Sequence, residues 1–197
     1  GGSNNSGANQ QANNDPEEVR YNVFQAIQYL VDWLRGNGCV ALPANLQKSD
    51  GSSVSVRIMD DLATTERSVW EVWHVIFHEL FKKEDLLEIL DQELQFIKNG
   101  QNTDIKKIAV RWDTGNPDDA KWYPIAARLL MQFVTTNNPT RFVTEKLLPF
   151  TFDTFRQAED PWGKVLEINP EKYKYDNPLI AQKTEKILFP LSRKSKI

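Results

Sequence analysis

Cysteine is almost missing from this chain. Cys39 stands alone in 197 residues, so no internal disulfide can form, and the expected setting is a reducing compartment or an organelle that imports folded proteins. No run of about 18 apolar residues occurs, and the first residues carry neither a charged segment nor an apolar one. A membrane span and a secretory signal are therefore not expected. A dominant charge is lacking too: 24 Lys+Arg stand against 27 Asp+Glu, for a net charge of -3. That leaves neither a basic field for nucleic acid nor an acidic tail.

What the chain does hold is apolar surface. With 40% hydrophobic residues, six Trp and ten Phe, it can pack one core. Composition divides it into three stretches. Residues 1-14 are a Gly/Ser/Asn/Gln run, read as a disordered linker or a cloning scar, with more protein expected upstream. Residues 15-157 carry helical patterning. Residues 158-197 are rich in Pro and Lys with patchy apolar anchors, and read as an extended arm. The arm ends in Ser195-Lys196-Ile197, close to the Ser-Lys-Leu peroxisomal address, with Arg193 and Lys194 before it.

Helix signals recur through the middle. Asp15 reads as an N-cap, Pro16 as the first helical residue, and Glu17 and Glu18 sit where the helix dipole favours negative charge. Val19, Val23, Phe24, Ile27, Leu30, Val31 and Leu34 then repeat at helical spacing until Gly36-Asn37-Gly38. Pro43 to Ser55 is polar and turn-rich, and reads as a surface loop. A second helix is expected from Asp60 or Asp61 through Phe81, and a third through Leu86–Ile97 to Asn99-Gly100. Ile105 to Trp112 is too short to assign to helix or strand. Asp118 and Asp119 open another helix that Asn137-Asn138-Pro139 breaks, and Arg141 to Phe155 is a further one interrupted at Pro149. Four or five helices without alternating strands predict an all-α, bundle-like domain.

Chemistry-bearing residues are few. Asp60-Asp61 falls where a loop becomes a helix, so exposed N–H groups and the dipole hold a carboxylate ionised, as a base requires. A plain N-cap reads the same way. His74 and His78 share a helix face and Glu79 follows, but the order is not His-Glu-x-x-His and no third ligand suggests itself. They read as half-buried helical histidines. Cys39, by itself, reads as a small buried apolar residue.

Two stretches bear a resemblance. Tyr29-Leu30-Val31-Asp32-Trp33-Leu34-Arg35-Gly36-Asn37-Gly38-Cys39-Val40 is similar to the W-L-R-G-x-G-C-V helix and turn of malate synthases. Met59-Asp60-Asp61-Leu62-Ala63-Thr64-Thr65-Glu66 resembles that family's M-E-D-A-A-T-A-E, and Trp73 falls at the first Trp of its L-W-Q-W. Weaker likeness runs through Ala126 to Phe142, so the resemblance covers roughly residues 16–147. It departs at Ala41-Leu42-Pro43 for Pro-Ile-Asn, at Leu62 for Ala, and at about a dozen residues inserted between Cys39 and Met59.

The resemblance implies a C-terminal helical domain that caps a TIM barrel absent from this chain. It implies joining of acetyl-CoA to glyoxylate, with Asp61 matching the base, Asp60 in the family's Glu position and Cys39 lining the acetyl-CoA channel. Mg2+ and its carboxylate ligands, with the arginine that steadies the enolate, would belong to the barrel, so this chain alone is expected to be inactive. Ser195, Lys196 and Ile197 then imply a peroxisomal import receptor as partner, with the cytoplasm as the alternative location. The rival readings are a non-catalytic helical assembly module and a domain of a related acyl-CoA lyase.

Overall fold

The computed structural model describes residues 14–36, 40–60, 62–99, 102–105, 108–111, 121–139 and 143–192. Its body is helical, as patterning predicts. α1 (Pro16–Arg35) begins as read: Asp15 is extended, its side chain accepts from the Glu17 N–H at 3.0 Å, and Pro16 follows. Gly36 closes the helix in the left-handed region at φ 104°, donating back to Asp32 and Trp33.

α1 is the centre of the molecule, with more than one face in the core. α2 (Leu62–Phe77), α3 (Lys83–Asn99) and α4 (Trp122–Thr135) all pack against it. Val23, Phe24, Ile27, Tyr29, Leu30 and Leu34 are buried, but so are Asn22, Gln25, Gln28 and Asp32. α4 is buried along nearly its whole length. None of the described helices is long and apolar enough to cross a membrane.

Four strands depart from the purely helical reading without displacing the bundle. β1 (Val40–Gln47) and β2 (Ser53–Asp60) form an antiparallel hairpin over most of the stretch read as a loop. β3 (Asn102–Ile105) and β4 (Ile108–Arg111) extend it into a sheet of order β2-β1-β4-β3. The turn itself was legible. Gly51 sits at φ 86°, and the Asp50 carboxylate accepts from Ser52 N–H at 2.9 Å and Ser52 Oγ at 2.5 Å, which lowers its pKa. The strands were not, because Pro43 inside a polar run argues against a ladder. β4 reaches only Ala44 to Leu46, which leaves Pro43 beyond it. With β2 running through Asp60, the second helix starts at Leu62 rather than at the Asp pair.

The last stretch is also unlike its reading. The helix expected over Arg141–Phe155 is interrupted at Pro149 as read, but in shorter pieces: α5 (Thr144–Leu147), a 3-10 turn over Leu148–Thr151 that holds Pro149, and α6 (Asp153–Arg156). In place of an extended arm from 158, α7 (Pro161–Ile168) and α8 (Pro178–Ser192) fold onto the body. Trp162, Val165, Tyr173, Ile180 and Leu188 are buried, and α8 packs against α3 and α4. Arg128 of α4 clamps Glu185 of α8 through two bonds of 2.8 and 3.0 Å. Sparse anchors suffice when each one is large and lands in the core.

Candidate functional site

The two motifs singled out in the sequence meet in space. α1 and α2 run antiparallel along a polar seam. Asn22 Nδ2 donates to Glu71 Oε2 at 2.9 Å; one turn on, Ser68 Oγ donates to Gln25 Oε1 at 3.1 Å. Followed further, that register brings buried Gln28 level with buried Thr65, and Asp32 level with the N-terminal end of α2. The hairpin gives the same answer through the backbone, since Val40 and Asp60 are Cα partners at its base. The end of α1, the base of the hairpin and the start of α2 therefore form one corner.

This arrangement can absorb the insertion read between Cys39 and Met59. An antiparallel hairpin returns the chain to where it left, so its length does not move the residues at its two ends. Asp61 and Cys39 adjoin this corner in the chain, but both lie outside the described residues, as do Ser195, Lys196 and Ile197. Asp60 is described as the last residue of β2.

Charged groups collect at the corner. Asp32 is buried and pairs with Arg35 Nη1 at 3.2 Å. Arg156, from α6, lies against Gly36: a Cβ placed on that glycine would stand 2.9 Å from Nη1. Sequence reasoning missed Arg156, for it sits in a short helix more than a hundred residues away with no local signal.

Glu66, on the second motif, has a structural task. Its Oε1 accepts from the Val143 N–H at 2.8 Å, tying α2 to the segment that enters α5. Burial raises its pKa above the ordinary carboxylate value, the Val143 bond opposes this, and Glu145 adds to the rise. A raised carboxyl is protonated more readily in the folded state. Its contribution is present below about pH 4.5 and declines as pH rises through the raised value. Glu66→Gln keeps an acceptor for Val143 and should flatten this decline, read as urea midpoints from about pH 4 upward. An unchanged slope would assign the pH dependence to other groups.

Other features do not converge on the corner. A cavity of about 370 Å3 is lined by Ile76, Phe77, Glu79 and Thr136 among others, at the far end of α2, roughly 22 Å along the helix from its start. A second, of about 290 Å3, lies beside Lys146, whose amine burial shifts downward and which donates to Gln132 Oε1 at 3.1 Å. His74 and His78 lie with ring centroids 4.5 Å apart and tilted by 57°, beside Trp73 and Phe77; His74 is half-buried as read, whereas His78 falls just past the end of α2 and is exposed. Among the described residues no group of three His, Cys, Asp or Glu side chains could hold a metal ion.

Comparison with known proteins agrees with the two motifs. The family model for the C-terminal domain of malate synthase matches residues 13–149, about two thirds of the chain. Malate synthase A of Escherichia coli (strain K12) is 27% identical over 135 residues, covering 65% of this chain. The chain spans about a fifth (21%) of that relative's length. No solved structure matches it. A match of this extent, over the helices and hairpin that build the corner, places the chain in the malate synthase C-terminal domain family.

Proposed function

We propose that this chain is the part of a malate synthase that delivers the catalytic base, Asp61, to an active site completed by a barrel outside the chain. The meeting of the two motifs at the α1–α2 corner carries the reading. Asp61 immediately precedes Leu62, the first residue of α2, where free N–H groups and the helix dipole keep a carboxylate ionised. In the proposed reaction that carboxylate takes a proton from the methyl group of acetyl-CoA. The enolate carbon adds to the aldehyde carbon of glyoxylate, and water then cleaves the malyl thioester to malate and the CoA thiol. Cys39 lines the channel that the thioester enters. Mg2+, held by the barrel, would supply charge stabilisation for the glyoxylate oxygens.

Removing a proton from a thioester methyl is steep for a carboxylate without preorganised charge beside it. This chain alone is therefore expected to release no CoA thiol from acetyl-CoA and glyoxylate, whereas the full-length protein does so continuously in a thiol-trapping assay. Equal activity of the two would overturn the division of labour. No glyoxylate-dependent release from the full-length protein would instead favour the assembly-module reading. The tripeptide Ser195-Lys196-Ile197 is proposed as a peroxisomal address. A fluorescent reporter ending in the last dozen residues should collect in peroxisomes, and a diffuse cytosolic signal would remove the address.

A further inference from the structure

Lys146 carries its charge where the surroundings oppose it. It lies on α5 and lines the cavity of about 290 Å3, where Nζ donates to Gln132 Oε1 at 3.1 Å and stands 5.7 Å from the centre of the Phe133 ring. Its seat is fixed. Gln132 is buried and donates its own amide N–H to the Tyr173 carbonyl at 2.8 Å, while the Tyr173 hydroxyl donates to the Lys146 carbonyl at 2.9 Å.

No carboxylate among the described residues forms an ion pair with this amine. Glu145, Glu171 and Asp176 line the same cavity, set against Lys172 and Lys174. Asp176 is already committed, its carboxylate accepting from the Thr136 hydroxyl at 2.6 Å and the Asn137 N–H at 3.0 Å. Burial draws the Lys146 pKa downward; the field of Asp176 opposes this, and Lys172 adds to the fall. The neutral amine is the form that attacks carbon.

Of the electrophiles an amine takes, an acyl group suits this seat. A protonated imine formed with an aldehyde would keep the positive charge, and a carbamate formed with CO2 would bring a negative one among three carboxylates. An amide is neutral. It removes the partly buried charge and still leaves one N–H for Gln132 Oε1.

We propose that Lys146 is a site of acylation by an acyl phosphate. Its amine attacks the carbonyl carbon, the C–N bond forms, and the bond from that carbon to the phosphate oxygen breaks. Phosphate leaves, and the amine's spare proton passes to it or to water. In such a donor the phosphate is bonded directly to the acyl group, so Lys172 and Lys174 meet it while Lys146 meets the carbonyl. In a coenzyme A thioester the phosphates lie far along the chain from the acyl carbon, and that pairing is lost. The site needs neither Asp61 nor the barrel.

The test treats this chain with acetyl phosphate over a range of pH and follows each lysine by mass spectrometry of its peptides. Lys146 should be acetylated about tenfold faster than exposed Lys82 and Lys186, with its advantage greatest near neutral pH, where a free lysine amine is protonated. The advantage should vanish in urea that unfolds the chain, because burial creates it. Lys172→Gln should slow Lys146 about threefold with an unchanged Tm, and an unaltered rate would remove Lys172 from the site. Acetyl-CoA is the comparison donor: a preference for Lys146 as large as with acetyl phosphate overturns the part given to the phosphate. Equal rates at Lys146, Lys82 and Lys186 in the folded wild-type chain overturn the proposal outright, whether or not the variant folds, and so does an advantage that survives unfolding. Because no turnover is read, failure here leaves the assignment of Asp61 standing, and failure of Asp61 leaves this site standing.

Discussion

In the full-length protein, Asp61→Asn is expected to lower kcat by about 10³-fold while KM for acetyl-CoA changes little, in line with what a positioned base contributes. Asn fills the same volume and still accepts hydrogen bonds, so the corner should keep its shape. It cannot take the methyl proton. A fall in kcat with KM preserved marks an interaction made in the transition state rather than in substrate binding. Steady-state kinetics with a coupled thiol readout measure both constants. Activity within tenfold of wild type would move the base elsewhere, with Asp60, the last residue of β2, next in line.

The second large effect concerns the central helix. Arg20 of α1 donates to Glu93 of α3 at 2.9 Å, and also to Gln92. The Glu93 side chain is 0% exposed and that of Arg20 25%. Arg20→Met removes the cation but leaves a carboxylate in the core. Stripping one member from a buried pair costs about 3–5 kcal/mol, and the partial exposure of Arg20 places the expectation near about 3 kcal/mol. Urea unfolding of this chain reads the loss directly. The double variant Arg20→Met with Glu93→Leu should recover most of it, since two apolar side chains leave no charge unpaired. A double variant no better than Arg20→Met alone would show that the pair is not the source of the effect.

Much of the helical body could be read from residue order. Asp15 and Pro16 start α1 and Gly36 ends it because capping depends on side chains within a few positions. The apolar residues expected on one face of α1 are all buried. The hairpin escaped because Pro43 and the polar residues around it do not alternate cleanly, and its pairing partners lie up to twenty residues apart. The C-terminal helices escaped because Trp162, Tyr173 and Leu188 are widely spaced, with no local period to reveal that they share one core. Of the candidate site, the Asp60-Asp61 pair was legible through its motif, whereas the task of Glu66 and the nearness of Arg156 were not.

Residue order alone determined where α1 begins and ends, that its apolar face enters the core, and which two segments carry the family's motifs. Capping, helical period and motif spacing are properties of neighbours along the chain. Only the tertiary structure decided that Val40 lies beside Asp60, that a polar seam joins α1 to α2, and that Arg156 rests on Gly36. Those are contacts between distant segments. They exist only once packing has chosen one arrangement of the helices from the several that the same apolar faces would allow.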